Sequence, residues 1–179
     1  VLMSQISQAE ADKYFIERFR LNKKHCGGII WWNIIDCWPQ FSDAVVDYYF
    51  EKKRAYYYIK ASQQQFCIMM DENSDKIACR AVNDYNTAVR FEYTVTDTET
   101  GENVLSGKEN AEADGVTTLA ELDKPSRNKF YRIDWRIKDD DTYGMDLCGA
   151  NHYVYFKDTI DFEWYKKQAG TIESLPSFK

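Results

Sequence analysis

The chain has 179 residues, a formal net charge of −6 and a pI near 5.0, and it is 44% hydrophobic and 16% aromatic. An acidic balance excludes nucleic acid and anionic membrane surfaces as natural partners. No apolar run approaches the roughly 18 residues of a membrane span, and Val1-Leu2-Met3 is not the basic start of a signal peptide.

Five cysteines (Cys26, Cys37, Cys67, Cys79, Cys148) are scattered without a Cys-x-x-Cys pair, and there are two histidines. That usage predicts no metal site and no cofactor. The odd count suits free thiols in a reducing, cytoplasmic setting. A Cys67–Cys79 bridge across neighbouring strands is the minor alternative to free thiols.

Ser7-Gln8-Ala9-Glu10 has the form of a capping box. Ala11, Tyr14, Phe15, Ile16 and Phe19 then recur at helical spacing, predicting a helix to about Lys23. Gly27-Gly28 punctuates the chain. Ile29 to Ile35 is apolar or aromatic apart from Asn33, as in a strand buried on both faces of a parallel sheet. A loop carrying Asp36, Trp38, Pro39, Ser42 and Asp43 follows, with Asp43 placed to brace it through backbone N–H groups. Glu51 to Ser62 reads as a helix with Ala55 and Ile59 inward. Strand, loop and helix make the βα unit of a doubly wound sheet or a β/α barrel, and in a barrel the residues at the carboxyl end of such a strand point into the active site. A closed barrel needs about 250 residues. Residues 1–61 are therefore expected to be the end of a larger barrel whose other strands precede Val1.

From Ser62 the texture changes. Phe66–Met70, Lys76–Asn83, Val89–Thr96, Asn103–Ala111, Gly115–Leu122, Lys129–Ile137 and Asn151–Phe156 alternate or cluster β-branched and aromatic residues. Turn signals separate them, among them Asn83-Asp84, Thr100-Gly101 and Asp114-Gly115. Short strands at this spacing predict an immunoglobulin-like sandwich over 62–179, with Trp135 inward in phase with Tyr131 and Ile133. Asp161 to Ala169 reads as a short helix stopped by Gly170. Asp139-Asp140-Asp141 with Asp146 reads as a solvated turn and not a calcium loop, because the spacing matches no such loop. His25 and His152 read as surface or turn residues.

The run Gly28-Ile-Ile-Trp-Trp-Asn-Ile-Ile-Asp-Cys-Trp-Pro39, then Ser42-Asp-Ala-Val-Val-Asp-Tyr-Tyr49, then Lys53-Arg-Ala-Tyr-Tyr-Tyr-Ile-Lys60 resembles the last βα unit of glycoside hydrolase family two, in its β-mannosidase-like branch. The sandwich and its helix resemble that family's C-terminal domain at scattered positions. The resemblance implies a retaining hydrolase of terminal β-linked sugars. It assigns Trp32 to the wall of the subsite holding the sugar to be cleaved. Asn33, Asp36 and Trp38 stand where strand-end geometry places further substrate-binding residues; capping of the loop and core packing are the alternative roles.

Retaining glycosidases use two carboxyls roughly 5–5.5 Å apart. The family's two glutamates come from earlier barrel strands, so no catalytic residue is assigned here and the chain alone is expected to be inactive. Its expected partners are the remainder of the barrel and a carbohydrate substrate. The competing readings are a carbohydrate-binding module and a structural interaction module.

Overall fold

The computed structural model describes residues 1–72, 75–138 and 146–176. The acidic run Asp139-Asp140-Asp141 lies outside them. The chain forms two compact units, Val1–Gln63 and Gln64–Lys179.

In the first unit, helix α1 (Leu2–Leu21) packs against helix α2 (Arg54–Ser62), and residues 22–53 form an irregular connection. Helix α1 starts five residues before the capping box, with Val1 at its N-cap. Its buried face is also not the one that hydropathy suggests. Ile6, Ala9, Lys13, Ile16, Glu17 and Leu21 are buried, whereas Tyr14 and Phe15 are exposed. The buried stripe includes a salt bridge one turn long, Lys13 Nζ to Glu17 Oε2 at 2.7 Å. A neutralised pair can occupy a core face that unpaired charges avoid, and apolar periodicity is blind to it. The Arg20 guanidinium donates to the Ser62 carbonyl. In α2, Ala55 and Ile59 face inward as expected, together with Tyr58.

The buried strand expected over Ile29–Ile35 is not formed. Ile30, Trp32 and Ile34 are exposed, and the backbone pairs only at its end, where Asn33, Ile34 and Asp36 bond to Val45 and Val46 around the parallel bridge from Ile35 to Val46. The physical reason is pairing: a strand buried on both faces needs a hydrogen-bonded neighbour on each edge and cover on each face, and residues 1–63 contain no strand to provide them.

The second unit is a β-sandwich. Strands β1 (Phe66–Asp71), β2 (Lys76–Asn83) and β5 (Gly115–Asp123) form one antiparallel sheet in the order β1-β2-β5. Strands β3 (Val89–Asp97), β4 (Asn103–Ala111), β6 (Lys129–Lys138) and β7 (Asp146–Tyr155) form the other, in the order β4-β3-β6-β7. Alternation decides which side chains go in. Val89, Phe91, Tyr93 and Val95 of β3 and Tyr131, Ile133, Trp135 and Ile137 of β6 are buried, as their period of two predicts. Phe66 meets Phe91 at 4.7 Å and Trp135 at 6.1 Å between ring centroids, joining the two sheets.

Two buried asparagines knit the sandwich. Asn151 Nδ2 donates to the Ile68 carbonyl at 3.0 Å, linking β7 to β1. Asn83 Nδ2 donates to the Thr87 and Glu112 carbonyls at 2.9 Å each, and its Oδ1 accepts from Tyr85 N at 3.0 Å, so one side chain holds two turns. Gly101 closes the β3–β4 hairpin at φ +72°, where a Cβ would be strained. No disulfide joins Cys67 to Cys79: β1–β2 register sets Cys79 opposite Met70 and Cys67 opposite Val82. His152 is buried and stacks on Phe130 at 5.5 Å, not at the surface as expected.

Helix α3 (Phe162–Glu173) starts at Asp161, whose carboxylate accepts from Trp164 N at 2.9 Å. It runs through Gly170, the expected stop. Ile172 and Leu175 are fully buried beyond that glycine, and their burial offsets the roughly 1 kcal/mol that a mid-helix glycine costs.

Candidate functional site

The sequence-predicted residues Trp32, Asn33, Asp36 and Trp38 all lie in the irregular connection of the first unit. Three short backbone pairings hold that segment. Val45 N donates to the Asn33 carbonyl at 3.1 Å, Val46 N to the Ile34 carbonyl at 2.9 Å, and Asp36 N to the Val46 carbonyl at 3.1 Å. Lys53 N donates to the Val45 carbonyl at 2.8 Å, tying the start of α2 to the same ladder.

Asp36 is the hub. Its carboxylate is fully buried and accepts from the Ser42 hydroxyl, from Gln40 Nε2 at 3.0 Å and from Lys53 Nζ at 3.2 Å. Lys53 Nζ also donates to the Ser42 carbonyl at 3.2 Å, and Ser42 Oγ accepts from Ala44 N at 3.1 Å. The Ser42 hydroxyl holds the Asp36 carboxyl below its ordinary range; burial opposes this, while Gln40 and Lys53 reinforce it. Asp36 is therefore an ionised clasp that closes the Trp38 loop and anchors it to α2.

The bracing role expected of Asp43 falls to other residues. Asp43 contributes its backbone carbonyl, which accepts from Gln8 Nε2, and its carboxylate adds to burial in raising Asp12. The next turn is held by Asp47, whose Oδ1 accepts from Tyr49 N at 2.8 Å and Glu51 N at 2.9 Å. Lys53 and Gln40 had no sequence signal: a lysine 17 residues from its carboxylate partner has no spacing rule to reveal it.

The two tryptophans stand on this clasp. Trp32 is 78% exposed and Trp38 60% exposed, while Trp31 is half-buried. The Trp32–Asn33 peptide bond is cis. Asn33 Oδ1 is buried with no hydrogen-bond partner among the described residues. A shallow cleft of about 380 Å³ opens beside Pro39, Gln40, Phe41, Asp47, Tyr48 and Tyr49. The segment thus presents two indole faces and an apolar fringe of Ile30, Ile34 and Phe41. Such a surface can stack on the C–H face of a ring. Among the described residues no cluster of three or more histidine, cysteine, aspartate or glutamate side chains could hold a metal.

No family model matches the chain. It is 38% identical over 60 residues to β-mannosidase B of Aspergillus niger, a match covering 32% of this chain and 7% of that protein; the figures for β-mannosidase B of Aspergillus oryzae are the same. In structure, 87% of the chain superposes on 19% of the β-D-mannosidase from Dictyoglomus thermophilum, with TM-score 0.64 and 24% identity. Likewise 89% of it superposes on 20% of the exo-chitosanase CsxA from Amycolatopsis orientalis, with TM-score 0.63 and 19% identity. The chain thus spans about a fifth of the length of these solved chains.

The fold is thus like that of part of these two solved chains, and over 60 residues the sequence is similar to β-mannosidase B. Among the described residues no helix is long and apolar enough to cross a membrane.

Proposed function

We propose that the chain is the C-terminal part of a retaining, β-mannosidase-like glycoside hydrolase acting on terminal β-linked sugars. In this reading residues 27–60 are the last βα unit of a catalytic barrel. Trp32 walls the sugar subsite, with Asn33 and Trp38 beside it. Asp36 holds the loop in place and, being buried and saturated with donors, does not touch the sugar. The sandwich is an accessory domain. The acid/base and the nucleophile come from barrel strands outside these residues, so the isolated chain does not hydrolyse glycosides.

The observation that carries the reading is an exposed Trp32 in an apolar run whose backbone pairing within its unit is limited to the short Val45–Val46 segment. An apolar, β-branched and aromatic segment so sparsely paired within its own unit has the properties of a barrel stave whose further partners lie elsewhere. The 38% identity to β-mannosidase B supports the choice of sugar-cleaving chemistry.

The test expresses the chain joined to the coding sequence ahead of Val1 and assays chromogenic β-mannoside, β-galactoside and β-glucuronide. Turnover of the β-mannoside is expected. Trp32→Ala should lower kcat/KM by about 100-fold or more, roughly 2.7 kcal/mol of transition-state stabilisation. Unchanged turnover in Trp32→Ala removes that residue from the subsite. Hydrolysis by residues 1–179 alone overturns the assignment of the catalytic carboxyls to other strands.

A further inference from the structure

We propose that the second unit carries its own saccharide-binding cleft, built around Trp164 and suited to a neutral pyranose unit of an oligosaccharide. This inference stands on the sandwich alone and does not depend on the hydrolase reading of the first unit.

The cleft has a volume of about 480 Å³, within the roughly 300–1,000 Å³ usual for small-ligand sites. Three loops and a helix meet there. Glu99 comes from the β3–β4 turn, Arg127 and Asn128 from the β5–β6 turn, Lys157 and Asp158 from the segment after β7, and Trp164 from the first turn of α3.

The indole is fixed in place. Its Nε1–H donates to Glu99 Oε1 at 2.7 Å, and Phe156 meets the ring edge-on at 5.9 Å and 76°. The loops are tied to one another as well. Lys157 N donates to Asn128 Oδ1 at 3.0 Å, and Thr98 Oγ1 bridges the Phe130 carbonyl at 3.1 Å and Gln168 Oε1 at 3.0 Å. A site whose members are already held loses little entropy on binding.

The chemistry selects the ligand class. With its N–H engaged by Glu99, the indole offers a π face, which suits the C–H face of a sugar ring. Around it stand two carboxylates, Glu99 and Asp158, and two cations, Arg127 and Lys157. Their formal charges cancel, so neither an anion nor a cation is favoured over a neutral molecule. Donors and acceptors in near-equal number suit vicinal hydroxyls, each of which both donates and accepts. Asn128, its Oδ1 occupied, adds an amide donor.

The experiment titrates the ¹⁵N-labelled 179-residue chain with β-1,4-mannotriose, cellotriose and inorganic phosphate, following the indole N–H resonances. One of the two sugars should shift the Trp164 signal saturably with a Kd of about 1–10 mM, and phosphate should not. The exposed substitutions Arg127→Ala and Asp158→Ala should each weaken binding by about 5-fold or more while the remaining spectrum superposes on that of the parent. Trp164→Ala should abolish it. The proposal is overturned by no saturation with either sugar up to about 50 mM, by binding that survives both exposed substitutions unchanged, or by tighter binding of phosphate. Shifts confined to Trp31, Trp32 and Trp38 would end this proposal and leave the subsite reading of the first unit standing.

Discussion

Gly149 offers the sharpest test of how the sandwich is packed. It pairs with Trp135 across β6 and β7. A Cβ at residue 149 would lie 2.5 Å from Cε2 and Cζ2 of the Trp135 ring and 2.6 Å from its Nε1. Carbon atoms in contact prefer about 3.5–4.0 Å, so the ring would have to retreat by about 1 Å. It has little room to do so, being 5% exposed and packed against Phe66. Overpacking of this kind costs about 1–3 kcal/mol. Replacing a strand glycine by alanine returns about 0.5–1 kcal/mol of chain entropy. With the ring pressed to 2.5 Å the steric term wins, and Gly149→Ala should destabilise the sandwich by up to about 2.5 kcal/mol. In urea, followed by far-ultraviolet circular dichroism, the midpoint should fall by on the order of 1 M or less with the slope unchanged. In a Trp135→Leu background the same substitution should be neutral or stabilising, because the ring atoms it strikes are gone. A Gly149→Ala protein at least as stable as its parent would refute the placement of the Trp135 ring over residue 149.

Four further outcomes are expected. Burial raises the Asp97 carboxyl, but the Lys129 ammonium and the Glu99 amide outweigh it and hold the group below its ordinary value. Its contribution is therefore present above the unfolded carboxyl range near pH 4 and lost as pH falls through the folded value; Asp97→Asn should lower stability at pH 7 and flatten the acid limb of a thermal-melt series, and an unchanged acid limb would contradict this. Glu17→Gln should cost about 3–5 kcal/mol by stranding the buried Lys13, whereas Lys13→Met with Glu17→Leu should come close to the parent in thermal denaturation; equal losses in both would refute the pair. Asp36→Asn should speed amide exchange at Val45, Val46 and Lys53, with α1 amides unaffected; unchanged rates would remove Asp36 as the clasp. With a thiol reagent in native buffer, Cys37 and Cys148 should react first and Cys67 and Cys79 only on unfolding, because the latter two are buried and burial pushes the Cys79 thiol up to about 12.

The sandwich was the more legible half. The first six strands lie where alternation and turn residues put them, and Lys76–Asn83 and Asn103–Ala111 match to the residue, whereas β7 begins at Asp146, five residues ahead of the expected Asn151. A period of two is written into one strand's own sequence once one face is buried. The order in which those strands pair is not written there, and neither are the contacts from Asn151 to Ile68 or from Trp164 to Glu99, which join positions 83 and 65 residues apart.

In the first unit, the apolar and aromatic character of Ile29–Ile35 was plain from the residues, as was the helix that follows it. Its state was not, because a strand is a relation between neighbours and within their unit these residues meet only the short Val45–Val46 segment. Helix α1 shows the same limit from the other side: Lys13 and Glu17 look solvated one at a time and become a core face only as a pair. The residues themselves determined the helical and strand periods, the acidic balance and the family likeness of the double-tryptophan run. Tertiary structure decided which strands pair, that Asp36 is a buried clasp, and that Trp32 projects from it, since each depends on groups that meet only after the chain has folded.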